Sequence, residues 1–152
     1  MEIREIKEGK KIYIELLLLA DEEEKMVDKY LERGKMFVLD DGGIKAECVV
    51  TQEGDNVIEI KNIAVYPEHQ KKGYGKKLIE FIENKYKNDF DIIRVGTGDS
   101  KLTVPFYENC GFRRIYCIKD FFVNNYDKPI YEDGIRLKDM VCLEKSLIDI
   151  RN

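Results

Sequence analysis

The 152-residue sequence has no tryptophan, a single histidine, three prolines and four cysteines. One histidine, His69, leaves little material for a Ser-His-Asp triad or a Cys/His zinc site, and no metal is expected. Cys48, Cys110, Cys117 and Cys142 show neither CxxC nor metal-ligand spacing. Reduced, mostly buried thiols in a cytoplasmic protein are therefore expected. No apolar run approaches the ~20 residues that a membrane-spanning helix needs. The nearest, Ile12 to Ala20, is interrupted by Glu15 and has mixed charges ahead of it. It reads as a buried first helix rather than a signal-peptide core. A net charge of −4 argues against general nucleic-acid affinity but leaves room for a local basic patch. There is no repeat and no Pro/Ser-rich linker, so residues 1–152 read as one domain.

What is present is a regular succession of elements. Residues 2–7 form a weak opening strand and 11–20 the first helix. Asp21 has the character of an N-cap, with Glu22, Glu23 and Glu24 in the first turn of a second helix that reaches Arg33 and stops at Gly34. A meander follows, with strands over 36–39, 44–51 and 57–65 joined by turns at Asp40-Asp41-Gly42-Gly43 and Glu53-Gly54-Asp55-Asn56. Strict alternation in the third strand places Val57, Glu59, Lys61, Ile63 and Val65 on one face, and Ile58, Ile60, Asn62 and Ala64 on the other. A helix from Gly75 to Lys87 carries Leu78, Ile79 and Ile82 at helical spacing. The strand over 91–97 then makes a parallel crossover with the strand before that helix. Thr103, Pro105 and Gly111 mark out a short helix, and 112–119 and 140–144 are closing strands. The fold class is α+β: a mixed, mostly antiparallel sheet with helices on both faces.

The most informative stretch is Gln70-Lys71-Lys72-Gly73-Tyr74-Gly75-Lys76-Lys77, between an apolar strand and a helix. Its glycines allow close backbone approach. The helix start offers free N–H groups and a positive dipole end, and four lysines surround it, so a polyanion is expected there. The dinucleotide fingerprint is excluded because Leu78 stands where its third glycine belongs. A Walker loop is excluded because Gln70 and Lys77 occupy its first and last positions.

Ile63-Ala64-Val65-Tyr66-Pro67 with Gln70-Lys71-Lys72-Gly73-Tyr74-Gly75 resembles motif A of the GNAT (Gcn5-related N-acetyltransferase) superfamily. Pro105-Phe106-Tyr107-Glu108-Asn109-Cys110-Gly111-Phe112 resembles its motif B. More narrowly, residues 97–140 are similar to small uncharacterised bacterial members. The resemblance implies a sheet with one splayed parallel strand pair, and acetyl-CoA as co-substrate with its pyrophosphate on the backbone of residues 71–76. It implies that Ala64 and Val65 face the acyl arm, with the Val65 amide donating to the thioester oxygen. It also implies that Tyr107 is the acid for the leaving thiolate and that Glu59, or a water chain, is the base. Cys110 lies one turn from Tyr107, but nothing near it in sequence would lower its pKa. Direct attack in a ternary complex is therefore expected over an acyl-enzyme route.

The resemblance implies that the acceptor is a primary amine of a small molecule or a protein. Between 120 and 138 the sequence mixes aromatic rings with carboxylates: Asp120-Phe121-Phe122, Tyr126-Asp127 and Tyr131-Glu132-Asp133. That composition suits a cationic amine and suits equally a homodimer contact or a loop folded over the sheet. Two functions stay open at this stage: an active N-acetyltransferase, and a non-catalytic module that binds acyl-CoA without turning it over.

Overall fold

The computed structural model describes residues 1–151. Seven strands form one sheet: β1 (Glu2–Ile6), β2 (Lys35–Asp40), β3 (Ile44–Gln52), β4 (Val57–Val65), β5 (Ile92–Gly98), β6 (Arg113–Ile118) and β9 (Met140–Ser146). Their order is β1-β2-β3-β4-β5-β9-β6. Every neighbouring pair is antiparallel except β4 with β5. The parallel pair is joined through helix α3 (Tyr74–Tyr86), since parallel strands cannot be linked by a tight turn.

The core lies on both faces. On one, Leu78, Ile79 and Ile82 of α3 pack with Ile58, Ile60, Ile93 and Val95 of the sheet, together with Val104 and Tyr107 of α4 (Val104–Asn109). Full burial of each such aliphatic side chain is worth about 1.5–3 kcal/mol over exposure. On the other face, Leu17 of α1 (Ile14–Ala20) and Val27 of α2 (Glu24–Val27) join Tyr30 and Leu31 against Met36, Val38 and Val49.

Three local expectations are corrected. The second helix is a single four-residue turn followed by further turns, in which the amides of Lys29 and Tyr30 bond carbonyls three residues back instead of four. The ammonium of Lys10, only 6% exposed, bonds the carbonyls of Leu31 and Gly34, each at 2.8 Å. Asp21 is not the N-cap of that helix; it closes α1, and its carboxylate is bonded to tyrosines. The alternation of β4 is broken by a bulge: Val49 pairs with Asn62 and Val50 with Ile60, so Lys61 has no partner on β3. Beyond it the faces exchange. Ile58 and Ile60 share the α3 side with Ile63 and Val65, whereas Asn62 turns to α1 and Tyr30.

Candidate active site

The bulge comes where β4 parts from β5. The parallel pairing runs from Val57 with Ile92 to Ile60 with Val95. No pairing joins Asn62–Val65 to β5, so the strands diverge toward their C-terminal ends. The gap belongs to a cavity of about 1060 Å³ that reaches from the start of α3 across to α1 and the 120–138 segment.

On the α3 side, Gly73 takes the left-handed conformation (φ 85°) and Lys71 does so as well (φ 65°). An added Cβ on Gly73 would meet nothing within 4 Å, so this glycine is required by its dihedral and not by crowding. Gly75 is the reverse case: a Cβ there would lie 3.1 Å from the ring of Phe106, so this glycine lets α3 and α4 pack closely. The first turn of α3 therefore begins with free N–H groups beside Lys71 and Lys76, a ready anion site. Gln70 Nε2 bonds the Val65 carbonyl at 3.2 Å, tying the loop to the end of β4. Tyr74 turns its hydroxyl away to Asp41 at 2.7 Å and can offer the ligand only its backbone. Ala64, Val65, Gln70, Lys71, Gly73, Tyr74, Gly75 and Lys76 line the cavity, whereas Lys72 stands exposed outside its lining.

Tyr107 of α4 also lines the cavity and is 6% exposed, stacked edge-on between Phe106 and Phe112. Burial pushes its phenol well above the ordinary value, with weaker contributions from Cys48 and Cys110. It therefore stays protonated at every working pH. Burial also raises the thiols of Cys110 and Cys48, so neither is an activated nucleophile. Glu59 lines the cavity on β4, with its carboxylate 2.6 Å from Lys61 Nζ and 3.8 Å from Arg94.

The opposite wall was only partly foreseen. The 120–138 connection holds α5 (Phe121–Asn125) and a small hairpin of β7 (Tyr131–Glu132) and β8 (Ile135–Arg136). It folds back onto the α1–α2 turn, with the amides of Asp127 and Lys128 bonded to Glu23 and the Tyr126 hydroxyl 2.6 Å from Asp21. Phe121, Phe122, Tyr126 and Glu132 thus reach the cavity beside Asp21, Glu22 and Tyr30. No local pattern linked Asp21 or Tyr30 to this site. Glu47 was likewise unforeseen. It is fully buried on β3 opposite Ala64, and both its carboxylate oxygens are without a hydrogen-bond partner. Burial raises its carboxyl well above the ordinary range.

Residues 32–114 match the model of an acetyltransferase (GNAT) domain. Over 132 residues, 85% of each chain, the sequence is 42% identical to an uncharacterized N-acetyltransferase, YvbK, of Bacillus subtilis (strain 168). A GNAT family acetyltransferase from Elizabethkingia anophelis, solved with acetyl-CoA bound, superposes with a TM-score of 0.90 at 34% identity, over 95% of this chain and 97% of that one. A Bacillus subtilis acetyltransferase solved in complex with CoA gives a TM-score of 0.87 at 38% identity, over 97% and 99% of the two chains. The bulged β4, the glycine-led start of α3 and the helix bearing Tyr107 therefore stand in a fold whose relatives carry this cofactor, and the chain belongs to the GNAT acetyltransferase superfamily.

Proposed function

We propose that the protein transfers the acetyl group of acetyl-CoA to a primary amine by direct attack within a ternary complex. The observation that carries this reading is the cleft itself. It joins the anion site at α3 to the buried phenol of Tyr107 on one side and to an aromatic and acidic wall on the other. Acetyl-CoA bound to one related structure and CoA bound to another support the donor.

The pyrophosphate rests on the N–H groups of residues 71–76, with Lys71, Lys72 and Lys76 supplying charge. The acyl arm lies in the gap beside Ala64 and Val65, and the Val65 amide donates to the thioester oxygen as negative charge develops there. A donor of this kind is worth about 10²–10³ in rate. The amine nitrogen attacks the thioester carbon, the new C–N bond forms and the C–S bond breaks. The departing thiolate, of ordinary pKa ~8.5, takes a proton from Tyr107. Glu59, the base that the resemblance implies, has its carboxylate already paired with Lys61 and Arg94.

The test is free-thiol release from acetyl-CoA over a panel of amines, alongside calorimetric binding of acetyl-CoA. Thiol release above background with at least one amine is expected. Tight acetyl-CoA binding with no release from any amine would show a binding module instead of an enzyme.

A further inference from the structure

Asp21 is 9% exposed, and it lines the cavity. Its carboxylate accepts a hydrogen bond from Tyr126 at 2.6 Å on one oxygen and from Tyr30 at 2.8 Å on the other. The Tyr30 oxygen in turn accepts from Asn62 Nδ2 at 3.0 Å. Asn62 stands two residues before Ala64, so the chain of bonds ends at the splayed part of β4, where the acyl group is placed. Asn62 lines the same cavity, is 3% exposed, and keeps its Oδ1 without a donor.

Buried carboxylates ordinarily have a cationic partner. Among the described residues, no ion pair includes Asp21. Lys29 lines the same cavity, but it forms no ion pair with Asp21. The charges that act on Asp21 are Glu23, which opposes its ionisation, and more weakly Lys29. Glu22 adjoins it in turn and feels Glu132 from the hairpin. Both direct partners are neutral phenols, and each oxygen keeps an unused lone pair. The Asp21 carboxylate thus has no direct cationic partner among the described residues. Glu59 differs, because Lys61 and Arg94 already meet its charge.

We propose that Asp21 is the catalytic base: it holds the acceptor's ammonium group against the splayed end of β4 and takes the proton that frees the nitrogen to attack. The assignment rests on the acetyltransferase reading above and gives Asp21 the role for which Glu59 was the sequence candidate. The protons balance. One ammonium proton passes to Asp21 and then to water. A second leaves the nitrogen after the C–N bond forms and restores the Tyr107 proton given to sulfur. The third remains as the amide N–H. Burial raises the Asp21 carboxyl, and the bonds from Tyr126 and Tyr30 only partly offset it, which makes it a stronger base than an exposed aspartate. The substrate class that fits is a primary amine, cationic in solution, whose apolar body rests on Phe121, Phe122 and Tyr126.

The experiment is a pH profile of thiol release from acetyl-CoA with 2-phenylethylamine, spermidine and a short peptide α-amine. Asp21→Asn should lower kcat/KM for the best amine about 10²-fold at neutral pH. Its deficit should shrink about tenfold per pH unit as the ammonium loses its proton unaided, up to an amine pKa near ~10. Acetyl-CoA affinity should be unchanged, which shows that the variant is folded. Tyr126→Phe should keep turnover within about tenfold of wild type. It should also move the acidic limb to higher pH, because a bond that favours the carboxylate form is gone. An Asp21→Asn profile parallel to wild type, or equal losses in the two variants, would overturn Asp21 alone. No thiol release by the wild-type protein with any of these amines would overturn the acetyltransferase reading and Asp21 with it.

Discussion

On the α3 side of the cleft, the groups offered to a ligand come from one stretch, Gln70 to Lys76, and from the strand end just before it. On the other side, Asp21, Tyr30, Asn62 and Tyr126 are bonded together across as many as 105 positions of sequence. The first wall works through backbone N–H groups, and a backbone shape demands particular residues at fixed spacing. The second works through side chains delivered by separate elements, so its chemistry is set by how the chain folds back on itself. On the proposed reading, recognition of the donor is therefore local and recognition of the acceptor is global.

Variants can sharpen or break that contrast. The largest effect is expected where the walls meet. Tyr107→Phe should reduce kcat about 10²-fold or more, with acetyl-CoA affinity by calorimetry within about twofold; an unchanged kcat would remove Tyr107 as the acid. Next, Gly73→Val forces a branched side chain into a left-handed position and should weaken acetyl-CoA binding by about tenfold or more, the strain there being of order 1–3 kcal/mol. Tight binding by that variant would contradict a backbone cradle. Glu59→Gln should cost less than about tenfold in kcat/KM, because the carboxylate is already committed to Lys61 and Arg94. A loss as large as that of Asp21→Asn would return the base to β4.

The smallest effect concerns stability. The folded Glu47 carboxyl lies well above its ordinary value of 4.5. The native state therefore holds a proton that the unfolded chain releases above that value, and stability falls as pH rises from 4.5 toward the folded pKa. Glu47→Gln removes this dependence. It should raise Tm by a few degrees at pH 8 and by less at pH 5, as read by thermal unfolding.

Much of the fold was legible because the hydrophobic periods are clean. Leu78, Ile79 and Ile82 declare α3, and the alternation from Val57 to Ile60 declares the start of β4. The failures have definite causes. Ile60-Lys61-Asn62 contains no glycine or proline to mark a bulge; the exchange of faces after Lys61 follows from pairing with β3. The acids at 22–24 signal a long helix, yet the amides of Lys29 and Tyr30 bond three residues back and the chain continues as turns, which local propensity does not foretell. Asp21 has the chemistry of a helix cap. Its partners, Tyr30 and Tyr126, come from another turn and another segment, so no window of sequence contains the site.

The bulge at Lys61 has a further consequence. A strand with a neighbour on each side has no hydrogen-bonding capacity to spare, and to enter such a sheet a ligand must first pull it apart. Past Ile60, β4 has β3 on one side and an opening on the other. On the proposed reading, the amide-bearing arm of the cofactor would lie along that free edge like a short added strand, completing the sheet without displacing any part of it. Binding would then leave the protein better hydrogen-bonded than before, and the empty protein would be the unfinished structure.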